Sequence, residues 1–320
     1  MSQVNLVTAD NFIRAESDTY FADALSHSAG LATFYHYRAP MPIDHQTVVR
    51  TNLDTLYSSA VLDLEAGPVT VTLPDPGKRF MSLIVITEDH YATTVYAPGA
   101  FTIHKEDTGT RYALIGIRTF VDPNDPDDLP KVHALQDAAT IAQPGGPGEF
   151  SVPDWDPASQ KTVHDALLVL SGTLPDMNHA FGRKDAVDPV RHFIATASAW
   201  GGNPDQDAQY LNVTPAQNDG ATVYRLTVPA EVPVDGFWSI TVYGADGYIA
   251  PNDLGVYSLN SLTAQSNADG SVAIQFGGGS GDVPNCIPVP AGWNYMVRLY
   301  RPRPEILNGT WTFPEAQPSS

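Results

Sequence analysis

The chain has 320 residues, of which 42% are hydrophobic, so its length suits one large domain or two of ordinary size. It carries 36 acidic and 17 basic residues, a formal net charge of −19, which excludes a nucleic-acid backbone or an anionic membrane surface as a partner. The single cysteine excludes an internal disulfide framework and a cysteine-rich zinc module.

The first predicted element is a helix from Thr8 to about His36. Thr8 can cap it, and apolar residues such as Phe12, Phe21 and Leu25 recur near helical spacing. The preceding residues contain no basic segment followed by an apolar run, and no apolar stretch in the chain approaches about 18 residues. We therefore expect a soluble cytoplasmic protein without a membrane span.

Strands are predicted next, where apolar residues alternate with polar ones or run between turn residues. They cover Pro68 to Leu73, Arg79 to His90 and Arg111 to Val121, and a helix is predicted from Leu129 to Ile141. Two further helices are predicted to begin at Asp156-Pro157 and Asp188-Pro189, because a capping carboxylate precedes proline at the first helical position. They are predicted to end near Gly172 and at Gly201-Gly202.

The C-terminal part is predicted to form a second set of strands. These strands are Thr222 to Pro229, Phe237 to Tyr243, Ser271 to Phe276 and Trp293 to Arg301. With 27 prolines and 25 glycines spread along the chain, many short strands joined by turns are favoured over a helical bundle. The proline- and glycine-rich stretch 143–157 is the predicted boundary, which gives domains 1–150 and 151–320.

Several motifs, in this order, resemble a known bacterial family. They are Asn52-Leu-Asp54-Thr55-Leu-Tyr57, Gly236-Phe-Trp238, Asn267-Ala-Asp-Gly-Ser271, Arg298-Leu-Tyr300 and Gly309-Thr-Trp311. Together they are similar to uncharacterised proteins that join a DUF1254 domain to a DUF1214 domain. The resemblance implies a mainly β fold with added helices, built as tandem β-sandwich, jelly-roll-like units. It implies a leading helix in the DUF1254-like domain and a helical connection before the DUF1214-like sandwich, but no assigned reaction.

The first candidate site is the row Arg50, Asn52 and Asp54, followed by Tyr57. On a strand the first three would project to one face and align a cation, an amide and a carboxylate. Arg50 and Asn52 could then bind a carboxylate or polarise a carbonyl while Asp54 or Tyr57 moves a proton. The alternative is a buried arginine–aspartate pair that ties a turn to a helix, with Asn52 satisfying backbone groups.

A second candidate is Glu88 and His90, which share parity at the end of a predicted strand. They could act as an acid–base pair, or bind a divalent metal with another histidine such as His36 or His104, or form a polar strand end. His36 also lies on the approach to Arg50 and is a candidate substrate-binding residue. No metal-binding motif occurs, so we assign no metal and no cofactor.

Several aromatic, histidine and cysteine residues also have both a functional and a structural interpretation. Trp238 and Tyr243 could wall a ligand pocket or pack between sheets. His133, His164 and His192 fall on predicted helices and are expected to be solvated. Cys286 could be a reactive thiol, although burial as a small hydrophobe is the commoner fate.

The leading interpretation is an enzyme that uses metal-independent general acid–base chemistry on an organic acid or carbonyl compound, in a pocket between the two domains. Asp54, Tyr57, Glu88 and His90 would be catalytic. A non-catalytic ligand-binding or envelope-associated module and a metal-dependent, cupin-like enzyme remain the alternatives. The expected partner is a small molecule, and self-association into a homo-oligomer is left open.

Overall fold

The protein folds into two compact units. A computed structural model describes residues 4–122, 125, 127–279 and 281–319. Unit 1 comprises Met1–Arg38, Leu56–Phe120 and Pro130–Asp205, and unit 2 comprises Ala39–Thr55, Val121–Leu129 and Gln206–Ser320. Both units are therefore assembled from three separated segments of the chain.

The described residues form six α-helices and 16 strands. The helices are α1 Phe12–His27, α2 Lys105–Thr108, α3 Asp128–Ala138, α4 Pro157–Ser171, α5 Pro189–Ser198 and α6 Pro304–Leu307. The strands are β1 Tyr35–His36, β2 Thr55–Asp63, β3 Val69–Leu73, β4 Met81–Thr87, β5 Ala92–Tyr96, β6 Gly99–Ile103, β7 Tyr112–Phe120, β8 Thr140–Ala142, β9 Ala208–Val213, β10 Tyr224–Val228, β11 Trp238–Tyr243, β12 Ser258–Asn260, β13 Val272–Phe276, β14 Cys286–Ile287, β15 Asn294–Tyr300 and β16 Gln317–Pro318. The mainly β prediction is confirmed.

Unit 1 is a β-sandwich. A five-stranded sheet in the order β1-β2-β7-β4-β5 faces a three-stranded sheet in the order β6-β3-β8. Val71 from the small sheet and Leu83 and Ile115 from the large sheet belong to one buried apolar cluster. Alternating side chains of strands β3, β4 and β7 supply this core, which is why the periodicity located those strands.

Helices cover the other apolar surface of the large sheet. Phe21 of α1 packs with Ile84 and Ile86 of β4, and the helices α1, α4 and α5 contact one another. Phe12 and Ile194 lie in the shared core of these helices. The large sheet is therefore buried on both faces, which accounts for the nearly continuous apolar sequence of β4.

The predicted caps of α4 and α5 are confirmed, whereas the predicted cap of the first helix at Thr8 is wrong, because α1 begins at Phe12 after Asn11 and has no side-chain cap. The Asp156 side chain accepts a hydrogen bond from the backbone N–H of Ser159, and Asp188 accepts bonds from the N–H groups of Val190 and Arg191. Each carboxylate satisfies amide donors that have no partner within the helix.

The first helix was predicted to be too long. It ends at His27 because Ser28 is extended and Gly30 has φ 144°, a conformation that suits glycine. His36 instead lies in β1 and pairs with Ser58 of β2. The helix that begins at Pro189 ends at Ser198, earlier than the predicted glycine pair.

Unit 2 is also a β-sandwich. One four-stranded sheet has the order β14-β13-β10-β16, and the other has the order β12-β11-β15-β9. Their inner faces share a buried cluster in which Phe276, Trp293 and Tyr295 stack with centroid distances of 5.1 to 6.0 Å. The predicted tandem β-sandwich fold is therefore confirmed. In the part of the chain that the structure describes, no helix is both long enough and apolar enough to cross a bilayer.

We expect Asp188→Ala to lower the free energy of unfolding by about 1 kcal/mol, because two N–H groups at the start of α5 lose their acceptor. Urea unfolding measures the change. Asp188→Asn is the matched control, since asparagine caps almost as well. Equal losses in the two variants would show that capping geometry is not the cause.

Candidate functional site

Arg50, Asn52 and Asp54 lie in a loop of unit 2 and not on a strand. Strand β2 begins only at Thr55, and Arg50 has φ 53°, in the left-handed region. The predicted alternation of residues 50, 52 and 54 on one strand face is therefore wrong. The Arg50 N–H donates to the carbonyl oxygen of Gly247 at 2.8 Å, which fixes the loop against the turn after β11.

The buried guanidinium of Arg298 holds this loop in place. Its Nη1 donates to Thr241 Oγ1 at 2.9 Å, and its Nη2 lies 2.7 Å from the Tyr243 hydroxyl and 2.9 Å from the Arg50 carbonyl oxygen. Burial opposes its charge, but Tyr243, Tyr300 and Asp54 outweigh that effect and raise the pKa of Arg298. Arg298 thus joins β11 and β15 to the loop backbone.

Tyr243 supports the same loop. Its hydroxyl donates to the carbonyl oxygen of Thr51 at 2.8 Å, and its ring is completely buried. Tyr243 was predicted to wall a ligand pocket, and it instead lies beneath the loop. Sequence reasoning used Arg298 only as part of a family motif and missed its role. The signal available was a charged residue in an otherwise apolar strand.

Asp54 is buried beside this arginine. Its Oδ2 accepts a hydrogen bond from Ser239 Oγ at 2.5 Å, while its Oδ1 is buried without a hydrogen-bond partner. Burial raises the pKa of Asp54, and Arg298, Ser239 and Asn260 offset this only in part. Asp54 is therefore a carboxyl group whose proton is held more tightly than usual.

Asn52 connects the loop internally. Its Oδ1 accepts the backbone N–H of Asp54 at 2.8 Å, and its Nδ2 donates to the Tyr300 hydroxyl at 2.9 Å. These bonds fix the amide as part of the loop's own structure, as one of the two sequence interpretations proposed.

The Arg50 guanidinium differs from its neighbours. It lies over the Tyr243 ring, with Cζ 5.5 Å from the centroid, and its Nη1 is buried without a hydrogen-bond partner. Among the described residues no carboxylate pairs with it. Burial, together with the positive charge of Arg298, lowers the pKa of Arg50. It is a cation with an unused donor.

Tyr57 and His36 lie on paired strands of unit 1. The Arg118 guanidinium lies over the Tyr57 ring, with Cζ 5.4 Å from the centroid. His36 Nδ1 is 2.7 Å from Ser58 Oγ, and burial lowers the pKa of His36. The structure thus gives both residues specific neighbours within their own sheet.

Glu88 and His90 do not continue a strand. Strand β4 ends at Thr87, and His90 has φ 63°, so the predicted shared strand face is wrong. Glu88 Oε2 accepts the backbone N–H of Tyr112 at 2.8 Å, and Oε1 lies 3.5 Å from Arg14 Nη1. Both residues belong to the turn between β4 and β5.

His90 is buried with both ring nitrogens bonded. Nε2 accepts the backbone N–H of Gly201 at 2.9 Å, so Nδ1 carries the proton and donates to Thr196 Oγ1 at 2.9 Å. Its ring stacks between Trp200 and His192. Burial, and then the neighbouring His192, hold the pKa of His90 well below 6.5.

His192 was expected to be solvated, and that prediction is wrong. It is buried, and its two ring nitrogens lie 2.9 and 3.0 Å from the carbonyl oxygens of Ala180 and Asp89. It therefore ties α5 to the turn after β4. The sequence placed it beside the apolar stripe of its helix, but the turn that covers it comes from about 100 residues earlier.

The metal-binding geometry considered for Glu88 and His90 is not formed. Within the described ranges, no group of three or more histidine, cysteine, aspartate or glutamate side chains could hold a metal ion. Trp238 packs in the core of unit 2 against Phe313, as the structural interpretation of this residue predicted. Cys286 is buried, and burial raises the pKa of its thiol.

Comparison with known protein families identifies the family of this chain. The chain matches "Protein of unknown function (DUF1254)" over residues 31–108 and "Protein of unknown function (DUF1214)" over residues 208–304, in that order. The chain belongs to the family that joins these two regions. Arg50 and Asp54 lie in the DUF1254 region, and Tyr243 and Arg298 lie in the DUF1214 region. Unit 2 of this DUF1254–DUF1214 protein therefore draws its buried network from both.

Solved structures share the fold of this DUF1254–DUF1214 protein. The VPA0106 protein from Vibrio parahaemolyticus is similar with a TM-score of 0.73 and 19% identity, covering 98% of each chain. An uncharacterized protein from Burkholderia cenocepacia is similar with a TM-score of 0.51 and 13% identity, covering 97% of this chain and 86% of that one. At these identities the likeness shows the fold alone. No curated protein matches the chain.

We expect His90 to make folding sensitive to acid. The folded state keeps His90 neutral, whereas the unfolded chain gains a proton below about pH 6.5, so stability is present above that pH and is lost as the pH falls. Between pH 7.5 and 5.5 the wild type should lose about 1.4 kcal/mol more than His90→Asn in urea unfolding. Asparagine tolerates the left-handed backbone and does not titrate.

The comparison between the two proteins removes the contributions of other titrating groups. Identical pH dependence in both proteins would mean that His90 binds protons equally in the folded and unfolded states, and a wild type that gains stability as the pH falls would mean that His90 is charged in the folded state.

Proposed function

We propose that the protein binds a small organic acid, as its carboxylate, at Arg50 in unit 2. The observation that carries this proposal is the buried Nη1 of Arg50, which has no hydrogen-bond partner. A half-buried guanidinium without an acidic partner costs free energy, and a bound carboxylate would supply both the missing acceptor and the missing charge.

The local charge supports an anion. The whole chain carries a formal charge of −19, but the charges around Arg50 are different. The positive charge of Arg298 interacts with that of Arg50, and Asp54 is the carboxylate whose charge interacts with Arg298. Two guanidiniums and one carboxyl group leave a positive excess. Burial also raises the pKa of Asp54, so its negative charge is disfavoured relative to that of an exposed aspartate.

The division of work between the two arginines supports a carboxylate over a more highly charged anion. Arg298 directs its Nη atoms to Thr241, Tyr243 and the loop backbone, and so acts as a positioning residue for Arg50. The planar fork of a single guanidinium matches the two oxygens of a carboxylate. Binding at this site requires neither Glu88 nor His90, whose polar atoms are already bonded within unit 1.

The test is binding of sodium acetate, with sodium phosphate and sodium chloride as comparison anions, measured by NMR titration of the whole protein at constant ionic strength. Arg50→Met should weaken acetate binding by about 10- to 100-fold, the amount expected for the loss of a charge-assisted hydrogen bond. Arg225→Met, at an exposed arginine of the same unit, removes the same charge and should leave binding unchanged.

Acetate binding that is equally weak in both variants would indicate a general charge effect and not a site at Arg50. The highest acetate concentration, about 100 millimolar, matches the weakest dissociation constant of interest. If the wild type shows no acetate-specific chemical-shift changes at that concentration, the proposal is rejected.

A second candidate function is general acid–base catalysis on the bound acid. The observation that favours it is Asp54, a buried carboxyl group whose Oδ1 has no hydrogen-bond partner and whose pKa is raised by burial, which makes its carboxylate a stronger base than an exposed one. Pyruvate combines a carboxylate with a carbonyl group. If Asp54 acts as a base on bound pyruvate, the methyl protons of pyruvate will exchange with solvent.

Exchange of the pyruvate methyl protons in D₂O can be followed by NMR without knowledge of the natural substrate. The wild type should exceed the buffer rate, and Asp54→Asn should return the rate to that of buffer while acetate still binds. Retained binding with no exchange in the wild type would leave a ligand-binding protein and reject the catalytic role.

A further inference from the structure

One guanidinium in unit 1 contacts two carboxylates and interacts electrostatically with a third. Arg14 Nη2 lies 2.5 Å from Asp89 Oδ1, and its Nη1 lies 3.5 Å from Glu88 Oε1. Its charge also interacts with Asp18, which lies one turn further along α1 on the same helix face. With its acids ionised, this cluster carries an excess of two negative charges, and both Asp18 and Glu88 are buried.

Asp18 is the member of this cluster with an unused atom. Only 2% of the residue is exposed; its Oδ2 accepts the indole N–H of Trp155 at 2.8 Å, and its Oδ1 has no hydrogen-bond partner. Burial and the charge of Glu88 raise the pKa of Asp18 to about 6, although Trp155 and Arg14 lower it. The cluster therefore has a buried acceptor without a donor and too little positive charge.

We propose that the cluster formed by Arg14, Asp18, Glu88 and Asp89 binds a primary ammonium group of a small amine, with Asp18 Oδ1 as its acceptor. An ammonium ion is compact, carries one positive charge and has three N–H donors, so it corrects both deficits at once. Among the residues that the structure describes, no group of three or more histidine, cysteine, aspartate or glutamate side chains, these carboxylates included, could hold a metal ion.

The edge of the cluster reaches solvent. The side chains of Arg14 and Asp89 are 39% and 45% exposed, whereas that of Glu88 is 6% exposed. In the proposed site the ligand therefore enters on the exposed side of the cluster, beside the Arg14–Asp89 pair. This site belongs to unit 1 and does not depend on the carboxylate site proposed at Arg50.

Protons and the ammonium group compete for Asp18. Because the carboxyl group must be ionised to attract the cation, binding should be about tenfold tighter at pH 7 than at pH 5, for a pKa of about 6. Binding should in turn lower the pKa of Asp18. Both effects follow from a charged ligand and not from a structural role of the aspartate.

The experiment titrates the whole protein with methylammonium chloride, and in parallel with tetramethylammonium chloride, which has the same charge but no N–H donor. NMR of the aspartate carboxyl carbons reports both binding and the pKa of Asp18. Asp18→Asn keeps an acceptor for Trp155 and should bind methylammonium at least fivefold more weakly. Asp75→Asn, at an exposed aspartate of the same unit, should bind it as the wild type does.

Thermal unfolding tests whether Asp18→Asn is folded. Because the variant removes a buried acid whose ionised form destabilises the folded state, it should be at least as stable as the wild type at pH 8. Equal binding of the two ammonium ions would overturn the proposal, as would an unchanged affinity in Asp18→Asn. The highest methylammonium concentration, about 100 millimolar, matches the weakest dissociation constant of interest. If the Asp18 signal does not respond at that concentration, a buried water remains as the partner of Oδ1 and the proposal is overturned.

Discussion

The buried guanidinium of Arg298 is the interaction on which the candidate site in unit 2 depends. An arginine in the middle of a β-strand is expensive to bury, and it is retained here because Thr241, Tyr243 and the loop carbonyl at Arg50 satisfy its donors. The same bonds hold the loop against the sheet. Arg50 can therefore occupy a strained left-handed conformation and keep its Nη1 without a hydrogen-bond partner.

The buried charged clusters of the two units have opposite excess charge. In unit 2, Arg298 and Arg50 outnumber Asp54, whereas in unit 1 a single Arg14 faces Asp18, Glu88 and Asp89. Both clusters contain a buried polar atom without a partner, Nη1 of Arg50 and Oδ1 of Asp18. Native cores rarely leave such atoms unsatisfied, so these two positions are where ligands would relieve a cost already present in the fold.

Local sequence signals predicted the elements well and the sites poorly. Capping by Asp156 and Asp188 and the alternation in β3 depend on neighbours a few residues away, so a single sequence contains them. The environments of His192 and Asp54 depend on residues about 100 and about 190 positions away. Parity arguments failed at residues 50–54 and 88–90 because left-handed backbone at Arg50 and His90 interrupts strand geometry. Single-sequence patterns do not report such turns when the residue is not glycine.

The order in which the chain leaves the ribosome has a consequence for unit 2. Arg298 closes over the carbonyl group of Arg50, which is synthesised about 250 residues earlier. The intervening segments 56–120 and 130–205 belong to the other unit, which can complete its sandwich first. The loop that contains Asp54 cannot form its bonds to Arg298 until β15 has been synthesised. Because closing a loop of that length is slow, we expect the C-terminal sandwich to form late. Shortened chains that end before β15 would therefore present a finished first unit and an unclosed second one.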